Sequence, residues 1–358
     1  MSKIKFNNSD PVFFNTLKKR VENYFEANNI KATGNWKLYS KTIILVVSLI
    51  LSYIWMVFFT PESNLLCIAV CIIMGVNVSA IGFNVMHDGA HGSYSSKKWV
   101  NSFMGFSLNL LGGNVYIWSQ KHNINHHSYT NVEGMDDDID IKPFIRVHSS
   151  QKKTWNHTIQ HYYALFLYGL TYLFWVFFND FTKYFSGKIA EHTKMRKMEP
   201  IEHLNFWFSK IGYVLIFIVI PFFVVGIIPT LIGYLIMAFV AGVVMAVVFQ
   251  LAHVVEDAHF IVPEGNSMKI ETEWAKHQIN TTVNFATKSK SMSWLLGGLN
   301  FQVEHHLFPR ISHVHYPEIN KIVKQTCEDF GIMYREFPTV LSAVRSHLIQ
   351  LKTAGQAA

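Results

Sequence analysis

Three stretches of this chain carry no Asp, Glu, Lys or Arg, and they constrain its fold more than any other feature. Residues 42–61 form the first and 63–86 the second, while 211–255 is long enough for two more segments on either side of Pro229. A helix needs about 20 apolar residues, rising 1.5 Å each, to cross a hydrocarbon core of about 30 Å. The pattern predicts an all-α integral membrane protein with two hairpins, its spans at about 42–61, 63–86, 208–228 and 230–252. Half of the 358 residues are hydrophobic and 15% are charged, where soluble domains carry about a quarter. The chain reads as a single unit over 1–358.

The basic residues test this topology. Of the 31 Lys and Arg, 8 fall in 1–41, 13 in 97–210 and 10 in 269–352, so none is left for the two tight turns. Under the positive-inside rule both termini and the segments 87–205 and 253–358 are cytoplasmic. Residues 161–179 also lack formal charge and are long enough to cross. A third crossing there would put the later histidines and their basic flanks opposite the earlier ones, so the stretch is read as an aromatic-rich interfacial helix. The run 103–118, broken at Gly112-Gly113, reads as a similar elbow. The first 41 residues show no cleavable signal pattern. Cys67, Cys71 and Cys327 offer neither a disulfide framework nor a thiolate metal site.

Histidines cluster at the cytoplasmic ends of the spans. His87-Asp88-Gly89-Ala90-His91 puts two imidazoles four residues apart, on one face of a continuing helix. His122-Asn123-Ile124-Asn125-His126-His127 repeats that spacing and adds a neighbour rotated by about 100°, so adjacent rings can face two different ions. Gln302-Val303-Glu304-His305-His306 supplies another adjacent pair, and His253 stands at the end of the fourth span. The expected metal set is His87, His91, His122, His126, His127, His253, His305 and His306. Neutral nitrogen ligands suit iron and leave open positions for dioxygen, although zinc also binds such sites. Further candidates, as ligands or as hydrogen-bond partners to them, are Gln302, His277, His259, Asp88, Asp137 and Glu304. Asp136, Asp138, Asp140 and Glu256 are other acids within reach of the clusters. Five scattered histidines, His148, His157, His192, His203 and His347, read as ordinary structural residues. Glu256-Asp257-Ala258-His259 matches a carboxylate di-iron motif, but that fold needs two copies and the sequence has one.

These clusters resemble the three histidine boxes of the membrane fatty acid desaturase family: 87–91 the first, 122–127 with Ser128-Tyr129-Thr130-Asn131 the second, and 297–309 the third. The similarity runs over most of the chain from Asn84. It implies two iron ions, O2 as co-substrate, a fatty acyl substrate carried on CoA or a lipid, and insertion of a double bond. Gln302 stands where many members have histidine, as in the front-end branch, which desaturates between an existing double bond and the carboxyl end. Gln302 is then a weak oxygen ligand or a hydrogen-bonding neighbour. The His-Pro-Gly-Gly mark of a fused cytochrome is missing, so a ferredoxin or separate b-type cytochrome is expected as donor; no nucleic-acid partner is expected. Two alternatives compete: a di-iron hydroxylase of lipids, alkanes or carotenoids, and a His-rich metal transporter, which would need ionisable residues in mid-membrane.

Overall fold

Capping side chains set where the first two long helices begin. Asn35 Oδ1 accepts from the Lys37 amide at 2.9 Å, and Ser63 Oγ from the Leu66 amide at 3.4 Å. Each supplies an acceptor that the first helical turn lacks. The first helix therefore starts at Trp36, ahead of the charge-free run, and takes Lys37 and Lys41 into its opening turns. The computed structural model describes residues 5–8, 11–190, 193–262 and 269–357; His192 lies outside them. Among these residues, regular structure is helical apart from three two-stranded pairings. One of them joins the amino-terminal Lys5–Phe6 in parallel to Lys269–Ile270.

Five helices are long and apolar enough to cross a membrane: Trp36–Phe58, Asn64–His91, Trp155–Ser186, Pro200–Val225 and Ile227–His253. The last pair does not turn at Pro229. The chain breaks at Gly226, whose φ of 87° is open to glycine, and Pro229 is the third residue of the next helix. Proline is tolerated in a first turn because its missing N–H would have no helical partner there.

The helix Ile227–His253 is the centre of the packing. On one side Gly75 leaves no room for a Cβ, which would lie 2.5 Å from the Met237 carbonyl. Ser79 Oγ donates to Ala241 O at 3.2 Å on the same side. On another side Gly242 meets the helix Trp155–Ser186, where a Cβ would lie 2.5 Å from Gly169 O. Small residues at crossings let backbones approach without a water-driven force between helices. Gly242→Val is accordingly expected to force this crossing apart, at about 1–3 kcal/mol, visible as a lower melting temperature of the detergent-solubilised protein.

Both ends of Trp155–Ser186 are tied to segments that also support the histidines. Gln160 Nε2 donates to Arg146 O at 2.7 Å and to Leu351 O at 2.6 Å, and Lys183 Nζ to Asp137 Oδ2 at 2.9 Å. The amino-terminal helix Val12–Ala27 packs Phe13, Leu17 and Val21 against Ile319, Val323 and Cys327 of Tyr316–Asp329. These two helices thus pack over the segment carrying His305 and His306, through Phe301, Val303 and Leu307. Of the histidines read as structural, His347 and His157 are buried and hydrogen-bonded, to Tyr168 and Val254 and to Thr154 and Pro143 respectively.

Candidate metal centre

Two π-helical turns shape the site. The second long helix passes through a π segment at Gly82–Met86 before the five-residue α-helix His87–His91, which stops at Gly92 with φ of 77°. The second cluster lies within another π segment, Gln120–His126, followed by the single turn His127–Tyr129. This changes the α-helical geometry expected there, because a π turn is wider and carries i→i+5 hydrogen bonds. The rings of His122 and His126 stack at 5.2 Å and 23°, and His127 stands nearly perpendicular to both. His305 and His306 sit on the short helix Gln302–Leu307, and His253 ends the last long helix.

The side chains converge in two groups. Ligand atoms from His87, His91, His122 and His305 lie within 4.8 Å of one another, and so do those of His126, His253 and His306. His122 also groups with His126 and Asp138. Its Nε2 is 3.3 Å from His87 Nε2 and 3.2 Å from His127 Nε2. The His127 ring belongs to neither group and stands between them, 4.6 Å from the rings of both His305 and His306.

Hydrogen bonding on the outer side of the rings explains why the inner nitrogens are available. His253 Nδ1 faces Thr281 O at 3.2 Å, His306 Nδ1 faces Gln278 Oε1 at 2.8 Å, and His305 Nδ1 faces Tyr316 Oη at 3.2 Å. The carbonyl acceptors beside His253 and His306 hold the proton on Nδ1 and leave the Nε2 lone pair pointing inward. The Nε2 atoms of His91, His253, His305 and His306 are buried without a hydrogen-bond partner among the described residues. Burying even one such atom unpaired costs about 1–3 kcal/mol. Four converging together, all imidazole nitrogens, fit a pair of metal cations.

Burial and the neighbouring imidazoles hold His122, His127, His305 and His306 well below the ordinary histidine range, so these rings are neutral and able to ligate. His126 is the exception. Burial lowers it, but Asp136, 3.1 Å from Nδ1, more than offsets that and raises it. Asp136 is itself fixed by the amides of Asn131 at 2.9 Å and Asp138 at 3.0 Å. Asp136→Asn is expected to weaken metal binding about 10- to 100-fold, measurable by competition with a chelator of known affinity.

The other candidates fall elsewhere. Asp137 pairs with Lys121 at 3.2 Å and Lys183 at 2.9 Å, so Asp136 takes the position beside His126 that the sequence also left open to it. Asp88 accepts from Ser312 Oγ at 2.6 Å and lies 3.1 Å from His313 Nδ1, bonding neither His87 nor His91 through its carboxylate. Glu304 accepts from Asn284 at 2.7 Å, Tyr334 at 2.9 Å and Asn320 at 3.2 Å. Those bonds anchor the helix Gln302–Leu307, and burial raises the carboxyl. Gln302 is buried with Nε2 unpaired among the described residues. His277 packs 5.0 Å from the Phe6 ring outside both groups, and burial lowers it to about 4. His259 is exposed, with Nε2 3.3 Å from the Arg335 guanidinium. Sequence reasoning overlooked Gln278, Tyr316 and Trp118. The Trp118 ring stacks on His122 at 4.4 Å and 22°, and its spacing of four residues from His122 was a readable signal.

A cavity of about 350 Å³ opens beside the group. His122, Trp118, Tyr172, Trp175 and Phe249 line one part, and Lys121, Asp137, Asp138, Asp140, Asp180 and Lys183 the other. It juxtaposes an apolar wall, a polar mouth and a metal-binding imidazole.

Comparison with known proteins completes the picture. The profile of the fatty acid desaturase family matches residues 63–338. The chain belongs to the fatty acid desaturase family. It is 38% identical to an acyl-lipid (8-3)-desaturase of Physcomitrium patens over 96% of its own length and 72% of the relative's. It is 36% identical to an sn-1 linoleoyl-lipid 6-desaturase of Arthrospira platensis, over 98% of its own length and 94% of the relative's. A Synechocystis protein of the same description is 33% identical over 96% of each chain. The protein is therefore an oxidoreductase that desaturates fatty acyl chains, and the hydroxylase and transporter readings are not favoured.

Proposed function

We propose that this desaturase uses two iron ions and O2 to insert a double bond into a lipid-linked acyl chain, on the carboxyl side of an existing one. The observation that carries the reading is the convergence of unpaired imidazole nitrogens beside the mixed cavity. His87, His91, His122 and His305 would hold one ion and His126, His253 and His306 the other, and His127, whose ring stands between the groups, could offer its one free nitrogen to either. When bound, iron supplies the oxygen activation that no amino-acid side chain provides.

The chain's own residues supply position. Neighbouring methylenes differ almost only in location, so the outcome depends on which carbon the cavity holds beside His122. Trp118, Tyr172, Trp175 and Phe249 give that region an apolar wall that excludes water. Asp136 keeps the proton of His126 on Nδ1, and Gln278 does the same for His306.

The polar mouth bears on the acyl carrier. Four acids, Asp137, Asp138, Asp140 and Asp180, face two lysines, Lys121 and Lys183. Both lysines are already ion-paired with those acids. Such a mouth suits an uncharged lipid headgroup better than the phosphates of CoA. The names of the relatives, acyl-lipid and sn-1 linoleoyl-lipid desaturases, point the same way, while Gln302 in the third box bears on the position of the double bond.

Four spans, with termini and site in the cytoplasm, accommodate the 31 basic residues. The anchoring of both ends of Trp155–Ser186 near histidine-bearing segments supports its reading as an interfacial helix. A ferredoxin or b-type cytochrome is the proposed electron donor, drawn by the net charge of +7. Its turnover is then expected to slow as ionic strength rises.

Expression in a host fed defined fatty acids, with mass spectrometry of each lipid class, tests the whole reading. A new double bond confined to lipid-bound chains is expected. An added hydroxyl, or no change in any acyl chain, would overturn it.

A further inference from the structure

Lys41 is a cation buried where a membrane helix has little use for one. It is 4% exposed in the opening turns of Trp36–Phe58. Its Nζ donates to Asn84 Oδ1 at 2.7 Å and to His313 Nε2 at 3.0 Å. The Trp294 ring lies 5.5 Å away. An ammonium can only donate, so His313 Nε2 accepts. The ring proton is then on Nδ1, which lies 3.1 Å from Asp88 Oδ1 as a close electrostatic contact and not as an aligned hydrogen bond. Ser312 Oγ donates to the other carboxylate oxygen at 2.6 Å. Asn84 continues the chain outward, donating to Ala80 O at 2.8 Å and Leu295 O at 2.9 Å.

One buried polar chain thus ties together the first long helix, the π turn of the second, the first histidine box and the segment after the third. Its contact with the box is Asp88, which sits between His87 and His91 on a helix of five residues. These five residues end the long helix Asn64–His91 beyond a π turn, whose wider winding shifts their angular position away from the register of the α-helix before it. They stop at a left-handed glycine. A metal site tolerates errors of only about 0.2 Å in ligand distance. A buried ion pair is poor evidence of stabilisation, because desolvation offsets most of its attraction. Its use here is geometric.

We propose that Lys41 and His313 are positioning residues that act through Asp88 to set the rotation of His87–His91, bringing both imidazoles to His122 and His305. The inference rests on the metal-centre reading above and extends it one layer outward, to residues that touch neither metal nor substrate.

The test is bound iron per purified chain, measured with chelator competition, in Lys41→Met and His313→Gln. Lys210→Met serves as a control: Lys210 is also buried and pairs with Asp180 at 2.8 Å, away from the first box. Wild-type protein is expected to bind two ions. Both test variants should lose one, or bind it about 10- to 100-fold more weakly, while Lys210→Met keeps two. The double variant Lys41→Met with Asp88→Asn removes both charges and leaves no unpaired one to unfold the protein; it should show the same single loss. Two ions bound with unchanged affinity in the test variants would overturn the proposal, as would an equal metal loss in Lys210→Met. A wild-type protein that binds no metal would instead overturn the metal-centre reading itself.

Discussion

Alanine in place of His122 is expected to abolish desaturation and to lower bound metal from two ions to one or none. His122 and His126 link the two sets, and His122 joins His87, His91 and His305 as well as His126. Its Nε2 approaches those of His87 and His127 within 3.3 Å and 3.2 Å, and its ring stacks on Trp118 at the cavity wall. Removing it takes away a ligand atom and the surface beside which the acyl chain would lie. An activity loss of at least about 10³-fold is expected, since a misplaced reacting centre alone costs about 10²-fold. His259→Ala is the matched control, because that ring is exposed beside Arg335; it should retain metal and product. Full metal content and unaltered lipid profiles in His122→Ala would remove His122 from the site.

Why the histidines were readable and their surroundings were not follows from the distance over which each signal acts. His87 with His91, and His122 with His126, are separated by one turn, so local spacing exposes them. The pairs His126-His127 and His305-His306 are adjacent. His253 is legible because a span ends there. Hydrophobic runs announce helices for a similar reason, although caps and not charges set their starts, as Asn35 does for Trp36. By contrast, Gln278 meets His306 across 28 residues, Thr281 meets His253 across another 28, and Ser312 meets Asp88 across 224. Nothing local distinguishes Asp136 from Asp137 in a run of three aspartates. The choice is made by the turn that places Asn131 N and Asp138 N on one carboxylate. The two π turns were equally hidden, since the sequence pattern does not separate a π bulge from α-helix.

Mild acid is expected to destabilise the metal-free desaturase steeply. Burial, reinforced by neighbouring imidazoles, holds His122, His127, His305 and His306 well below the ordinary histidine value of 6.5. As pH falls below 6.5 the unfolded chain takes up protons that the folded chain refuses. Stability from these groups is therefore fully present above about 6.5 and falls with pH until the depressed folded values are reached. Each such histidine loses on the order of 1 kcal/mol of stability per pH unit below its unfolded pKa, as long as its folded value is not reached. His126 works in the opposite sense. Asp136 raises it, so it contributes in acid and loses that contribution as pH rises through its folded value; the other seven clustered histidines are all lowered and outweigh it. Bound metal occupies the same lone pairs, so the loaded protein should keep its melting temperature further into acid, until protons displace the ions. Melting curves of metal-free and loaded protein between pH 7.5 and 5.5 are expected to diverge as pH falls. A metal-free curve that stays level across that range would mean these imidazoles are not buried together as neutral rings, and the metal centre would lose its physical basis.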